Sequence, residues 1–143
     1  MQHGKIRGEP SASRRVLGLS IPPGPQGRPA SFAPDGTYTD DEAHHSDVAQ
    51  GPDQIVRRLT LAFSKLSDLR DEQRHMVAGD DVVMTEHVEY WSWPTGETVA
   101  LPIVSVHEVQ HGKITRWCDY WNKDVLLSAA PRWWLRELSA GWK

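Results

Sequence analysis

The sequence has little cysteine, no long apolar run and no surplus of positive charge. Its one cysteine, Cys118, cannot form a disulfide within the chain or build a cysteine-based zinc site. No apolar stretch approaches the roughly 20 residues that a membrane-spanning helix needs, so no membrane association is expected. With 16 Lys and Arg against 19 Asp and Glu, the net charge is −3, which gives no general reason to expect nucleic-acid binding.

Residues 1–31 differ in composition from the rest of the chain. They are rich in proline and glycine, and Glu9 is their only acidic residue. A segment of this kind buries little surface and is expected to be mostly disordered, which leaves residues 32–143 as one domain. Arg14-Arg15 could begin a twin-arginine export sequence. The apolar run that should follow stops at Pro22-Pro23, so we expect a cytoplasmic protein.

The first predicted elements are a short strand and a helix. Pro34-Asp35-Gly36 is typical of a turn, and a strand should follow it over residues 37–39. A polar loop then leads to a helix that opens at Pro52, where proline suits the first helical turn, and apolar residues recur there at helical spacing. The charged residues 68–71 should end this helix, and a strand is predicted over residues 72–77.

The second half of the chain predicts a strand meander and a last helix. Long strands are expected over residues 82–93, 99–109 and 114–122. The turns between them are short, which indicates antiparallel neighbours. A final helix fits residues 123–138, and Pro131 could interrupt it. This order of elements predicts an α+β fold, in which a curved sheet closed by helices would enclose a pocket.

Two of the long strands carry acidic residues on one face. Side chains alternate along a strand, so His87 and Glu89 should project to the same side. By the same rule Asp119 shares its face with Trp117 and Trp121. Our hypothesis is that Glu89, His87 and Asp119 meet in a pocket with aromatic walls. The alternative is that Glu89 and His87 form an ion pair on a solvated strand face.

Four segments carry a family resemblance. They are Phe-Ala-Pro-Asp-Gly-Thr-Tyr at 32–38, Thr-Glu-His-Val-Glu at 85–89, Pro-Thr-Gly at 94–96 and Gly-Lys-Ile-Thr-Arg-Trp-Cys-Asp-Tyr-Trp at 112–121. The chain resembles the limonene-1,2-epoxide hydrolase family of the nuclear transport factor 2-like superfamily, which also contains SnoaL-like and ketosteroid-isomerase-like proteins. The resemblance implies a nuclear transport factor 2-like cone, with a curved antiparallel or mixed sheet wrapped by helices around a pocket. It also implies a homodimer.

The resemblance further implies hydrolysis of a small hydrophobic epoxide to a vicinal diol in one step, with neither a metal nor a cofactor. In that family one carboxylate activates water, and Asp119 matches it. Glu89 stands where the family has an aspartic acid that protonates the epoxide oxygen, and His87 stands where it has an arginine that bridges the two acids. Tyr38 matches a tyrosine, and Asp40 replaces an asparagine, that together hold the water.

The chemistry also has a basis in the residues themselves. Opening an epoxide with water requires an acid and a base at the same time. Two carboxyl groups in an apolar pocket can divide these roles, because burial and mutual repulsion keep one of them protonated. The expected substrate is therefore small, hydrophobic and uncharged. By strand parity its walls would come from Trp91, Leu101, Ile103, Trp117 and Trp121.

Other functions stay open at this point. A SnoaL-like cyclase or a ketosteroid-isomerase-like enzyme could use one of the two acids to move a proton next to a carbonyl, and a non-catalytic ligand-binding or assembly module could use the same fold. His44, His45 and Asp47 match no specific ligand spacing, so a solvated loop is expected there and no metal site. Trp133 and Trp134 are expected to serve packing or a dimer contact.

Overall fold

The computed structural model describes residues 31–40 and 47–141, together with the backbone of two short strands, β1 (Arg14–Val16) and β2 (Leu19–Ile21). These two strands pair with each other in antiparallel fashion. The expected disorder of residues 1–31 falls, for the most part, outside the described residues and stays a prediction. His44 and His45 also lie outside them.

A six-stranded mixed sheet forms the body of the fold. Its strands are β3 (Phe32–Thr39), β4 (Ala49–Gln50), β5 (Asp68–Ala78), β6 (Val82–Ser92), β7 (Thr98–Gln110) and β8 (Lys113–Trp121). The helices are α1 (Pro52–Phe63), α2 (Lys123–Ala129) and α3 (Arg132–Gly141). The strand order is β4-β3-β8-β7-β6-β5, in which β3 runs parallel to β8 and all other neighbours are antiparallel. This architecture confirms the predicted α+β fold with a curved mixed sheet.

The predicted meander and the interrupted last helix are confirmed. Strands β6, β7 and β8 follow one another through short turns, and Gly112 in the second turn has a φ of 71°, which glycine adopts without strain. The last helix breaks at Pro131, between α2 and α3, because proline lacks the N–H that a continuous helix would need. Among the described residues, no helix combines the length and apolar character required to cross a membrane.

The segment Pro34-Asp35-Gly36 corrects the sequence prediction. It is part of β3, which starts at Phe32, and does not form a turn ahead of a separate strand. The register between β3 and β8 shifts between Phe32 and Thr37, so these residues form an irregularity within the strand. A Cβ at Gly36 would lie 2.8 Å from the carbonyl oxygen of Ile114. Glycine therefore permits the close approach of the two backbones.

The boundary between α1 and β5 also differs from the prediction. Helix α1 ends at Phe63 and β5 already begins at Asp68, so residues 68–71 belong to a strand and do not end the helix. Strand β5 is an edge strand with mostly exposed side chains. Charged residues are common on such edges, because they discourage pairing with another chain.

Apolar and polar residues occupy different parts of the inner sheet face. One core cluster packs under α2 and α3 and consists of Trp91, Trp93, Val99, Leu101, Ile103, Leu126 and Trp134. A second cluster joins α1 to β3 and β8 and consists of Phe32, Tyr38, Ala49, Ile55, Leu59 and Ile114. Along β7 the inward positions change from apolar Leu101 and Ile103 to polar Ser105 and His107. With His87 and Asp119, these two are the buried polar residues of the described chain.

Candidate active site

Asp119 on β8 is buried and held by three hydrogen-bond donors. Its Oδ1 accepts a hydrogen bond from the Ser105 hydroxyl at 2.5 Å and another from Trp117 Nε1 at 2.6 Å. Its Oδ2 accepts from the Tyr38 hydroxyl at 3.2 Å. The parallel pairing of β3 with β8 sets Tyr38 beside Trp117, and the pairing of β7 with β8 sets Ser105 opposite Asp119. The carboxyl group is thus fixed in orientation from both sides.

The pKa of Asp119 lies above its ordinary value. Burial raises this pKa, while the hydrogen bonds from Ser105, Trp117 and Tyr38 and the nearby His87 charge offset only part of the rise. A carboxylate with a raised pKa accepts a proton more readily than an exposed one. Asp119 therefore has the electrostatics of a general base.

Glu89 on β6 is half-buried and has a different environment. Its Oε2 accepts a hydrogen bond from Trp91 Nε1 at 2.8 Å. Burial, followed by the charge of Asp119, raises the pKa of Glu89 to about 7. Glu89 pairs with Leu101 and Asp119 pairs with Ser105, so the two acids are two strands apart on the inner face. They influence each other by charge and are not bonded to each other.

The sequence analysis predicted that His87 bridges Glu89 and Asp119, and the structure does not show this bridge. Its Nδ1 lies 2.7 Å from Asp71 Oδ1, and its Nε2 lies 2.9 Å from the Ser105 hydroxyl oxygen. Both ring nitrogens are thus occupied, and neither bonds to Glu89 or Asp119. The reason is topological: β7 lies between β6 and β8, so Ser105 stands between His87 and Asp119. The predicted direct bridge is wrong, and the contact with Asp119 is indirect.

The charge state of His87 follows from its surroundings. Burial lowers its pKa, but the hydrogen bond and charge of Asp71, together with the charges of Glu89 and Asp119, raise it further than burial lowers it. The net result is a raised pKa. The protonated imidazolium is therefore favoured over a wider pH range than for a free histidine.

Tyr38 and Asp40 have distinct places at the end of β3. Burial raises the pKa of Tyr38 well above its ordinary value, and the charge of Asp119 adds to this rise, so its hydroxyl stays protonated and can donate. Asp40 is half-buried, and burial raises its pKa against the opposing charges of Lys123 and Arg58. The structure brings Tyr38 to Asp119, while a role for Asp40 in holding water stays a prediction.

The residues predicted as pocket walls all lie on or beside the inner sheet face, but in different packing environments. Leu101 is only 1% exposed and, with Ile103 and Trp91, belongs to the first core cluster. Trp121 is half-buried against the same cluster. Trp117 packs on the other side, with its ring centroid 4.8 Å from that of Tyr38. Two of these five residues, Trp91 and Trp117, also donate hydrogen bonds to the acids.

Sequence reasoning missed three residues of this site, namely Asp71, Ser105 and His107. Ser105 and His107 interrupt the apolar alternation of β7 at inward positions, and this pattern could have identified them. His107 is buried, its ring centroid lies 5.2 Å from that of Trp117, and its Nδ1 has no hydrogen-bond partner in the described chain. Burial and the His87 charge lower the pKa of His107 to about 4, so the ring is neutral at physiological pH.

Two other predictions concern residues away from this site. Asp47, which the sequence analysis assigned to a solvated loop, forms an ion pair with Arg58 at 2.7 Å. Within the described ranges no three His, Cys, Asp or Glu residues are grouped to hold a metal ion. Trp134 is 1% exposed in the core, and its Nε1 donates to the carbonyl oxygen of Ala62 at 3.2 Å. The packing role predicted for Trp134 is confirmed.

Comparisons with known proteins agree with this fold. The sequence model of the SnoaL-like domain family matches residues 25–117. Among solved structures, an LEH-like epoxide hydrolase from M. tuberculosis is similar with 20% identity over 78% of this chain and 77% of that chain, at a TM-score of 0.57. A Δ5-3-ketosteroid isomerase from Mycobacterium sp. has 18% identity over 71% and 82% of the two chains, at a TM-score of 0.57.

A third solved structure comes from Jannaschia sp. CCS1 and is assigned as a SnoaL-like polyketide cyclase. It shares 15% identity over 71% of this chain and 76% of that chain, at a TM-score of 0.62. At these identities the three structures show a common fold and leave the reaction to be argued from the site.

Proposed function

The chain belongs to the SnoaL-like domain family, and we propose that it is an enzyme that hydrolyses a small hydrophobic epoxide to a vicinal diol by general acid–base catalysis. One observation carries the proposal: the inner sheet face holds two acids with different surroundings. Asp119 has three hydrogen-bond donors, while Glu89 has one donor and a pKa raised to about 7. Such a difference separates a base from an acid.

In the proposed reaction Asp119 removes a proton from water as the water oxygen attacks one epoxide carbon. The bond between that carbon and the epoxide oxygen breaks, and Glu89 gives its proton to this oxygen. The product is a diol that contains all the atoms of the epoxide and the water. Asp119 ends the step protonated and Glu89 ionised, and proton exchange with solvent restores both. Tyr38 and Trp117 keep the Asp119 carboxyl group oriented throughout.

The spacing of the acids supports this reaction. Glu89 and Asp119 lie two strands apart and each keeps its own indole donor, Trp91 or Trp117. Neither acid therefore has to share a proton with the other. An acid and a base on separate sides of a substrate can act together on opposite ends of the epoxide carbon–oxygen bond.

A second candidate is a proton-transfer enzyme of the isomerase or cyclase type. Two observations favour it: Tyr38 contacts Asp119 directly, and His87 does not join the two acids. In this reaction Asp119 would take a proton from carbon next to a carbonyl, and Glu89 in its protonated form would donate to the developing enolate oxygen. The substrate would again be small and largely apolar.

The decisive experiment measures diol formation from a panel of small epoxides with the wild type and with Asp119→Asn. We expect the variant to lose at least about 100-fold in rate, because general-base catalysis contributes roughly that much or more. The matched control is Asp53→Asn, which changes an exposed aspartate in the first turn of α1 and should keep full activity. Circular dichroism would verify that both variants fold.

Two outcomes would contradict epoxide hydrolysis. Full diol formation by Asp119→Asn would remove Asp119 from the reaction. No turnover of any epoxide by the wild type would favour the second candidate, which deuterium incorporation next to the carbonyl of apolar ketones would then test. If exchange is also absent and the ketones only bind, the site serves ligand binding without catalysis.

A further inference from the structure

We infer that Ser105 is a positioning residue that couples His87 to Asp119, and that Asp71 anchors the other end of this hydrogen-bonded chain. The chain runs from Asp71 Oδ1 to His87 Nδ1 over 2.7 Å, from His87 Nε2 to Ser105 Oγ over 2.9 Å, and from Ser105 Oγ to Asp119 Oδ1 over 2.5 Å. It crosses four neighbouring strands, β5, β6, β7 and β8. The hydrogen-bonded chain itself does not depend on the proposed function. The inference rests on that function only where it treats Asp119 as the general base.

The proton of Ser105 sets the direction of the chain. A hydroxyl group has one proton to give, whereas an ionised carboxylate can only accept. Ser105 must therefore donate to Asp119, and its oxygen must accept from His87 Nε2–H. Asp71, when ionised, accepts from His87 Nδ1–H for the same reason. With an ionised carboxylate at each end, both ring nitrogens carry protons and His87 is an imidazolium.

The groups around His87 are consistent with this charge. Asp71 faces it from β5, Glu89 lies two positions along β6, and Asp119 faces it from β8. A further titratable neighbour is His107 on β7, whose pKa is lowered to about 4 by burial and by the charge of His87. His107 is therefore neutral and does not compete for the proton. The charges of three acids, Asp71, Glu89 and Asp119, therefore act on the ring and favour its protonated form.

A second arrangement holds the same number of protons. The proton on His87 Nε2 moves to Ser105 Oγ while the Ser105 proton moves to Asp119 Oδ1. One N–H bond breaks, the serine exchanges its O–H bond, and one new O–H bond forms on Asp119. The result is a neutral His87 that still donates to Asp71, beside a protonated Asp119. Because the two arrangements interconvert through Ser105, His87 and Asp119 should titrate as a coupled pair.

The test is an NMR titration of the histidine rings in the full chain, which requires no substrate. The His87 resonances would be assigned by their absence from His87→Gln. At pH 7 the nitrogen shifts of the wild type should show both His87 nitrogens protonated. Asp71→Asn should lower the His87 pKa by about one unit or more, since it removes the closest opposite charge. Ser105→Ala should also lower it, because Nε2–H loses its acceptor.

Ser105→Thr keeps the hydroxyl and should restore the wild-type titration, which a purely structural role of Ser105 would not predict. Ser128→Ala is a matched control, because it removes a hydroxyl that bonds at 3.1 Å to the Val125 carbonyl on α2. A neutral His87 ring in the wild type at pH 7 would overturn the proposal. So would a His87 pKa that Ser105→Ala leaves unchanged. Failure of epoxide turnover would leave these titrations untouched, so the two proposals fail separately.

Discussion

The two acids of the site differ in how many donors reach them. Asp119 receives hydrogen bonds from a serine, a tryptophan and a tyrosine, whereas Glu89 receives one from Trp91. Donors stabilise the ionised form of a carboxyl group, and burial alone stabilises the neutral form. The same apolar surroundings can therefore hold Asp119 ready to accept a proton and Glu89 ready to give one.

Glu89 should make the folded state less stable as pH rises. Its pKa is about 7 in the folded chain, whereas the ordinary value of 4.5 applies in the unfolded chain. Between these values the folded chain holds a proton that the unfolded chain has released, so the free energy of unfolding falls as pH rises through this window. The loss should reach no more than about 3 kcal/mol above pH 7. Glu89→Gln, which cannot ionise, should escape this loss.

Urea denaturation of both proteins at pH 5 and pH 8 would check this expectation. The stability of Glu89→Gln relative to the wild type should increase between the two pH values. Glu137→Gln on α3 is the control, since its side chain is about half exposed, at 53%, and it should follow the wild type. An equal difference between Glu89→Gln and the wild type at both pH values would contradict the raised pKa.

The sequence could predict which residues share a face but not which of them touch. Strand parity correctly assigned His87 and Glu89 to the inner face, and Asp119 with them, because the alternation depends only on local geometry. The partners of His87 depend on which strand lies beside β6, and this follows from long-range pairing. The sequence therefore predicts Asp71 at a helix end, and it does not show that Ser105 links His87 to Asp119.

At the level of elements, the meander could be predicted from the sequence, whereas the pairing of β3 with β8 could not. Short turns fix β6, β7 and β8 as neighbours, since a chain that turns within a few residues has no other choice. The parallel pairing of β3 with β8 joins residues about eighty positions apart, and nothing local encodes it. This pairing brings Tyr38 to Asp119. The family resemblance implied that Tyr38 helps to hold the water, and the direct contact with Asp119 was not predicted.

The irregularity in β3 should make Gly36 sensitive to substitution. In Gly36→Ala the new Cβ would lie 2.8 Å from the Ile114 carbonyl oxygen and 3.0 Å from that of Ala33, and neither backbone atom can easily move away. We expect a loss of about 1–3 kcal/mol in the free energy of unfolding, measured by urea denaturation. The Tyr38–Asp119 contact should weaken with it, because β3 carries Tyr38.

Gly79→Ala is the matched control for this substitution. Its Cβ would meet its nearest neighbour, the Val82 carbonyl oxygen, at 3.8 Å, which is an ordinary contact. The control should therefore stay within about 0.5 kcal/mol of the wild type. Equal stability of the two variants would show that β3 and β8 are not as close at Gly36 as described.

At the level of the whole molecule, the two faces of the sheet have different surroundings. The inner face carries the site and both core clusters and is covered by helices. The opposite face presents exposed apolar side chains on neighbouring strands, with Met84 48% exposed, Val104 41% and Tyr120 42%. Val104 and Tyr120 are direct cross-strand partners. Met84 lies in the next row, opposite Val106, and Glu86 is the partner of Val104 on β6. Exposed apolar side chains grouped on one sheet face are typical of a surface that another protein covers.

The family resemblance implies a homodimer, and we propose on this basis that a second copy of the chain covers this face. Val104→Lys should then separate the pair. A lysine between Tyr120 on β8 and Glu86 on β6 would replace an apolar contact of the dimer with a charged side chain. The dissociation constant should therefore increase at least about tenfold. Analytical ultracentrifugation over a range of concentrations would measure it. Leu127→Lys is the control, because Leu127 is exposed to 54% on α2 and lies off the sheet. A wild type that sediments as a monomer at all concentrations would contradict the proposal, and so would a Val104→Lys dimer as strong as that of the control.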